Sequence, residues 1–206
     1  MKNISDVYAE ICNPNLHSKA YQEKMIHEIP IDATVVKREE FIVERCKDKV
    51  VYHLGCIGPL HSMIEKEAKE AWGFDKLDNN ENIKNYVQID FEKTAFPIGI
   101  PKPEIIICGE LLEHLSNPGM LLDNLHFDCP IIVTAPNAFS SIGWEWVTKK
   151  QLENVNKDHV AYYSYWTLKT LLERHNFDIK EFYWYNGLPI IAEGLVFVVE
   201  NKNGRI

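Results

Sequence analysis

The sequence predicts an α/β fold: a mostly parallel sheet of seven strands, helices on both faces, and an antiparallel last strand. Three observations carry this prediction. From Lys49 onward, short apolar segments of the fully buried type alternate with amphipathic, helix-like stretches, the pattern of a parallel sheet covered on both sides. Two β-rich segments near the C-terminus are joined by a short Gly-Leu-Pro loop, so they must be antiparallel neighbours. The 206 residues, 46% hydrophobic and 25% charged, suit one domain with a substantial core and a small addition.

VVYHL (50–54) is the first buried strand and runs into the loop of HLGCIGPLHS (53–62). MIEKEAKEAW (63–72) reads as a helix, and GFDKLD (73–78) as a strand ending in acid. A polar helical stretch precedes the strand YVQID (86–90). EIIICGE (104–110) is a buried strand, and LLEHLSNPGMLLDNL (111–125) is amphipathic with an Asn-Pro-Gly interruption. PIIVTAPN (130–137) is the next buried strand. SYWTLKTLLERHNF (164–177) is a helix with Ser164 as its N-cap. DIKEFYWYN (178–186) and AEGLVFVVEN (192–201) complete the sheet.

Residues 1–47 are polar and partly helical. Apolar positions spaced by three or four (Ile4, Val7, Ile11, then Tyr21 and Met25) are interrupted at Pro30. They form a helical cap or lead-in to a domain spanning 48–206. The segment 138–163 is longer than a connection in this fold requires and reads as an insertion or lid. Its Trp144, Trp146, Tyr162 and Tyr163 suit the wall of an acceptor pocket, with core packing as the competing use.

Net charge and cysteines narrow the function. A formal charge of −8 makes a nucleic-acid partner unfavourable, since phosphates want a basic face. The five cysteines are scattered without a CxxC pair, so neither a zinc knuckle nor a disulfide framework is signalled. Cys108 and Cys129 lie in apolar runs and read as buried small hydrophobes. The sequence contains no 18-residue apolar stretch and its N-terminus no apolar core, which predicts no membrane partner and a cytoplasmic setting. A small-molecule acceptor is the expected partner, and a second copy of the chain is an option.

The loop after the first strand carries the functional argument. In doubly wound folds, ligands bind at the carboxyl ends of the strands where strand order reverses, beside a glycine-containing loop. An acid about 20 residues further on takes the ribose hydroxyls. Gly55 and Gly58 supply the loop, Asp75 stands at that distance, and Asp90 closes the next strand. Together they point to an adenosine-bearing ligand. A diphosphate would want the full GxGxxG, and Pro59 with only two glycines fits a ligand lacking phosphate better.

HLGCIG, GFD, VQIDFEK, EIIICGELLEHLSNPGMLL, IIVTAPNAF and KDHVAYYSYWTLKTLLERHNF, in this order, resemble the motif series of small-molecule class I S-adenosylmethionine-dependent methyltransferases. The similarity runs from about residue 49 to about 185 and implies a Rossmann-like fold. It is most specific in the ELLEHL-NP block, the TAPN segment and the DHV-YYS-TL block. The resemblance implies S-adenosylmethionine as cofactor. Its contacts would come from His53, Gly55, Cys56, Ile57 and Gly58, from Asp75 with Lys76, and from Asp90 with Phe91. Gly109 and Glu110 would border the methionine end. The departures are His53, where the family usually has Asp or Glu, and Ile57 and Pro59, where glycines are usual. A neutral His53 can accept from the cofactor ammonium, and a satisfied core histidine is the alternative.

Glu110, Glu113 and His114 fall at i, i+3 and i+4, on one face if a helix begins near Glu110. With His159, they offer two carboxylates and two imidazoles suited to Mg²⁺, Mn²⁺ or Zn²⁺. The set resembles that of small-RNA 3′-end 2′-O-methyltransferases, in which a metal lowers the pKa of the acceptor hydroxyls. Local hydrogen bonding or capping by Glu113 and His114 is the reading that leads.

The leading functional expectation is methyl transfer to an oxygen or nitrogen of a small or sugar-like acceptor. His159, His114 or Glu110 are the catalytic candidates for a general base. The alternatives are a non-catalytic cofactor-binding or regulatory protein of the same fold, and a metal-dependent RNA 2′-O-methyltransferase. A nicotinamide oxidoreductase is disfavoured by the missing GxGxxG.

Overall fold

The computed structural model describes residues 28–97, 99–152 and 156–202. The expected helical pattern at Ile4, Val7, Ile11, Tyr21 and Met25 lies outside them. The chain divides into two compact units between Pro30 and Ile31, and the sheet belongs to the second.

Eight strands build this sheet: β1 (Val35–Val36), β2 (Val50–Leu54), β3 (Glu70–Asp75), β4 (Tyr86–Gln88), β5 (Ile105–Gly109), β6 (Ile131–Pro136), β7 (Phe177–Tyr185) and β8 (Gly194–Asn201). Their order is β1-β7-β8-β6-β5-β2-β3-β4. The pairs β2–β3, β3–β4, β2–β5 and β5–β6 are parallel, whereas β8 runs antiparallel to both β6 and β7. The eighth strand is a correction to the expected seven. Val35 and Val36 pair in parallel with Trp184 and Tyr185 at the sheet edge, and two residues are too few to show a strand period in a sequence.

The helices are α1 (Arg38–Cys46), α2 (Pro59–Glu67), α3 (Pro118–Asn124), α4 (Ser141–Glu145) and α5 (Tyr165–Arg174). The expected helix 63–72 is displaced toward the N-terminus. Pro59 begins α2, where a fixed φ and a missing N–H cost nothing. Beyond Glu67 the chain turns extended, because Glu70–Phe74 pair with β2 and sheet formation overrides the helical propensity of the Lys-Glu-Ala-rich stretch. A second correction concerns 111–125. Pro118 starts α3 rather than interrupting a longer helix, and Leu112–His114 form only a single 3₁₀ turn.

Both faces of the sheet are covered, as the buried strands require. Val51, Ile105, Ile107 and Ile132 pack with Ile42 and Cys46 of α1 and with Leu60 and Ile64 of α2. Tyr52, the neighbour of Val51, contacts Phe74 and Phe127 at centroid distances of 4.8 and 5.6 Å. On β7, Tyr183 meets Phe41 of α1 at 4.7 Å, while Phe182 meets Tyr165 of α5 at 4.7 Å. Successive strand residues therefore serve helices on opposite sides. Ser164 caps α5 as expected. Its hydroxyl accepts from the Thr167 amide while the Thr167 hydroxyl accepts from the Ser164 amide.

β2 is the first long strand. The chain winds outward from it through β3 to β4, then returns to β5 on its other side. Strand order thus reverses between β2 and β5, and their carboxyl ends flank a crevice.

One close approach at the sheet's far side is testable. A Cβ on Gly194 would lie 2.1 Å from ring atoms of Tyr185, its partner on β7, and that ring is 5% exposed with little room to move. Gly194→Ala should destabilise the fold by about 1–3 kcal/mol through overpacking, as read by denaturant unfolding.

Candidate active site

Gly55 and Gly58 follow β2 with φ of +71° and +135°, values that favour glycine. The Gly55 and Cys56 amides donate to the Phe74 carbonyl at 2.8 and 3.3 Å, which ties the loop to β3. Asp75 ends β3 and accepts from the Leu77 amide (3.0 Å) and the Ile57 amide (3.4 Å). Its carboxylate is thereby aimed across the loop, with lone pairs to spare for two hydroxyls. Asp90 lies two residues past β4 and accepts from the Glu92 amide and Lys93 Nζ. Lys93 first, then the Glu92 amide, hold its carboxyl below the usual range.

A cavity of about 430 Å³ runs along these strand ends, bordered by Gly55, Ile57, Asp75, Lys76, Asp90, Phe91 and Glu110. A second of about 200 Å³ continues it over His53, Cys56, Gly58, Gly109 and Glu110. All the predicted cofactor residues border one or both. The Cys56 thiol is pushed up to about 12, chiefly by burial and then by Asp75, so it lines the site as a neutral group.

His53 is 3% exposed. Its pKa falls to about 3 through burial, the neighbouring His61 and the Arg38 cation, so its imidazole is neutral. Both expectations for His53 have a basis here: it is packed in the core against His61 and it also borders the smaller cavity.

Glu110 follows β5 with φ +51°. Its carboxylate accepts from the Thr134 hydroxyl at 3.0 Å and the Tyr185 hydroxyl at 3.1 Å. Arg38 Nη1 lies 3.5 Å away. Burial raises its pKa against the pull of Arg38 and these hydrogen bonds. No helix begins at Glu110, which corrects the i, i+3, i+4 geometry expected there. The left-handed backbone at Glu110 and the 3₁₀ turn after it send its side chain toward β6 and β7.

Glu113, His114 and His159 do converge. One ligand atom from each lies within 4.8 Å of the others, and the two imidazoles meet edge-on at a centroid distance of 4.6 Å. Glu113 is 1% exposed and neither carboxylate oxygen has a hydrogen-bond partner. Burial, then the charge of Glu110, raises its pKa to about 8. Burial, then His114, lowers that of His159. A buried carboxylate with both oxygens unpaired is costly, and a divalent cation would satisfy it. The donor set, one carboxylate and two imidazoles, fits such an ion. Glu110 stands outside it.

A third cavity, about 320 Å³, is walled by Trp144, Val147, His159 and Tyr162 together with Asn137. It adjoins the 430 Å³ cavity at Asn156, which lines both. Two of the four aromatics expected there take part. Tyr163 is instead buried and donates to the Leu112 carbonyl, and Trp146 receives the Lys150 cation over its ring at 3.9 Å. The Val160 amide donates to the Glu113 carbonyl, fastening this segment to the 3₁₀ turn.

Sequence reasoning missed Arg38, Thr134 and Tyr185. Thr134 and Tyr185 sit near the carboxyl ends of β6 and β7, a signal the TAPN segment offered for Thr134 alone. Arg38 had none, because nothing local ties a helix start at 38 to a strand end at 110.

Residues 54–181 match the family described as "Methyltransferase domain", and the chain belongs to it. It is a class I S-adenosylmethionine-dependent methyltransferase. No curated protein sequence matches the chain significantly. Its fold is similar to that of a SAM-dependent methyltransferase from Archaeoglobus fulgidus, at 14% identity over 79% of this chain and 94% of that one, with a TM-score of 0.56. It is also similar to magnesium protoporphyrin IX methyltransferase from Synechocystis PCC 6803 with bound SAH, at 12% identity over 80% and 82%, TM-score 0.56. A third likeness, TM-score 0.61 at 15% identity, is to small RNA methyltransferase HEN1. It covers 85% of this chain and 27% of that one. Among the described residues, no helix is long and apolar enough to cross a membrane.

Asp75→Ala should weaken binding of S-adenosylhomocysteine by roughly 1–3 kcal/mol, the cost of unpaired buried hydroxyls, as measured by calorimetry. In metal-free protein, Glu113 binds its proton up to about pH 8 when folded, against an ordinary value of 4.5. The folded state therefore holds the extra proton, and stability should fall as pH rises through that window. Glu113→Gln should flatten the fall in thermal unfolding followed from about pH 5 to about pH 8, as any pKa shift of that sign requires.

Proposed function

We propose that this methyltransferase transfers the methyl group of S-adenosylmethionine to an oxygen or nitrogen of a small or sugar-like acceptor held against the 138–163 segment. The observation that carries this reading is the adjacency of the two larger cavities. One is bordered by Gly55, Asp75 and Asp90, the other by Trp144, Tyr162 and His159, and they meet at Asn156. Gly55 and its loop admit the adenosyl group closely, Asp75 accepts from the ribose, and Gly109 and Glu110 border the methionine end. The sulfonium methyl is already activated, so the protein's main task is to align the acceptor with the S–CH₃ bond and exclude water. His159, neutral and bordering the acceptor cavity, takes the proton when the acceptor is a hydroxyl.

The unpaired Glu113 carboxylate favours a metal-assisted form of the same reaction. Glu113, His114 and His159 would hold a divalent cation, which lowers the pKa of an acceptor hydroxyl. His159 then serves as ligand rather than base. The net charge of −8 still favours a small acceptor over an RNA chain.

The test is methyl transfer from labelled cofactor across a panel of sugars, phenols and amines. His159→Ala should lower kcat by about 10²–10⁴-fold if His159 is the general base, with chelator harmless to the wild type. In the metal-assisted form, chelator should remove activity, and Mn²⁺ or Zn²⁺ should raise the wild-type Tm but not that of His159→Ala. Absence of transfer to every acceptor, in protein that binds the cofactor, would count against the acceptor class.

A further inference from the structure

Beneath the smaller cavity lies a buried pair that methyl transfer itself does not require. His53 of β2 and His61 of α2 stack at a centroid distance of 5.4 Å and an interplanar angle of 15°. Their Nδ1 atoms are 3.2 Å apart, and they are 3% and 1% exposed. His61 Nε2 has no hydrogen-bond partner; the nearest acid is Glu65, one turn along α2, with Oε1 3.6 Å away. The fold makes room for this arrangement. A Cβ on Gly73 would meet Cys56 Sγ at 2.7 Å and His61 Cε1 at 3.2 Å, so the bare Gly73 backbone is what lets His61 reach under the loop.

Two neutral imidazoles in contact through Nδ1 share one proton between those atoms, and each carries one proton in all. If His61 held the shared proton, its Nε2 would be a bare acceptor facing the Glu65 carboxylate, itself only an acceptor. If His53 holds it, His61 carries its own proton on Nε2 and points it toward Glu65. The carboxylate selects the second arrangement, just as a partner on one ring nitrogen of a histidine fixes the state of the other. His53 Nε2 is then a bare acceptor at the cavity bordered by Arg38, Gly109 and Glu110.

We propose that Glu65 and His61 are positioning residues that fix the tautomer of His53, so that its Nε2 accepts a hydrogen bond from the ammonium of the cofactor's amino-acid end, with Arg38 facing the carboxylate of that end. The inference rests on the cofactor reading and adds to it a reason for the imidazole. A neutral acceptor backed by a distant acid recognises an ammonium without a second buried carboxylate next to Glu110. The charged groups around the pair agree with this. Arg38 bears on His53 from α1, whereas Glu65 on α2 and Glu81 from the loop after β3 bear on His61. Arg38 opposes a second proton on His53, which keeps its Nε2 bare, and the two acids favour one on the outer nitrogen of His61.

Two measurements test this. Heteronuclear NMR of the ring nitrogens in cofactor-free protein should show His53 protonated at Nδ1 and His61 at Nε2. Calorimetry should compare S-adenosylhomocysteine with its desamino analogue, 5′-(3-carboxypropylthio)-5′-deoxyadenosine. Wild-type protein should favour the amino compound by about tenfold or more, the worth of a hydrogen bond to a charged group. Glu65→Leu, at a partly exposed side chain, should erase most of that preference while leaving affinity for the desamino analogue unchanged. Glu65→Gln, which can still accept, should restore it. A proton on His53 Nε2, or a preference unchanged in Glu65→Leu, overturns the proposal. Failure of both compounds to bind the wild type overturns the cofactor reading and the ammonium seat with it. Equal binding of both is a distinct result, which overturns the ammonium seat and leaves the cofactor reading standing.

Discussion

The parallel pairing of β2 with β5 is the constraint on which the site depends. These neighbours belong to opposite halves of the winding, so the loops after them turn away from each other and leave the space above their carboxyl ends unfilled. Both rims of that space are residues in left-handed conformation. Gly55 on the β2 side adopts it freely, but Glu110 on the β5 side does so against its own Cβ, at a cost on the order of 1 kcal/mol. Hydrogen bonds from Thr134 and Tyr185 and the nearby Arg38 cation hold it there. The crevice is therefore assembled from β6, β7 and α1 as well as from the loops of its own two strands, with Glu110 as the point where they meet.

The same burial that holds Glu110 sets the electrostatics around it. In a chain carrying a net −8, the interior of the site keeps few full charges. His53 is neutral, Cys56 and Tyr185 hold their protons, and the Glu113 carboxyl is pushed up to about 8. Among the described residues, Arg38 is the cation bordering the smaller cavity. A zwitterionic amino-acid group is therefore a better electrical match there than a phosphate with its concentrated negative charge. The missing glycine-rich loop argues the same way in geometry as the single arginine does in charge.

Much of this was legible in the sequence because it is governed by local rules. Buried strands announce themselves as unbroken apolar runs, Ser164 is a cap in any helix, and Gly55, Asp75 and Asp90 stand at strand ends whose spacing the fold dictates. What stayed hidden was decided by partners distant in sequence. The pairing of Glu70–Phe74 with β2 displaced a stretch with strong helical character. The left-handed Glu110 redirected one carboxylate away from Glu113 and His114, a reversal that residue spacing alone cannot register. Arg38 reached the site from a segment that reads as a polar lead-in, through an ion pair with a residue far along the chain.

The division between legible and hidden parts follows the division of labour in the proposed reaction. The proposed cofactor contacts come from strand ends, where hydrogen bonding to both neighbours leaves little freedom, so their spacing is readable in the sequence. The proposed acceptor wall comes from 138–163, which among its described residues carries two short helical turns and exposes Phe139, Ile142, Trp144, Val147 and Tyr162. A segment with few buried apolar anchors is held at low local stability, and that is what a wall which must admit and then enclose a substrate requires. It is fastened at one end to the Glu113 turn by Val160, and just before its other end Asn137 donates to the Ile190 and Ala192 carbonyls of the β7–β8 connection. The Val160–Glu113 hydrogen bond thereby couples the position of this segment to the 3₁₀ turn that carries Glu113 and His114.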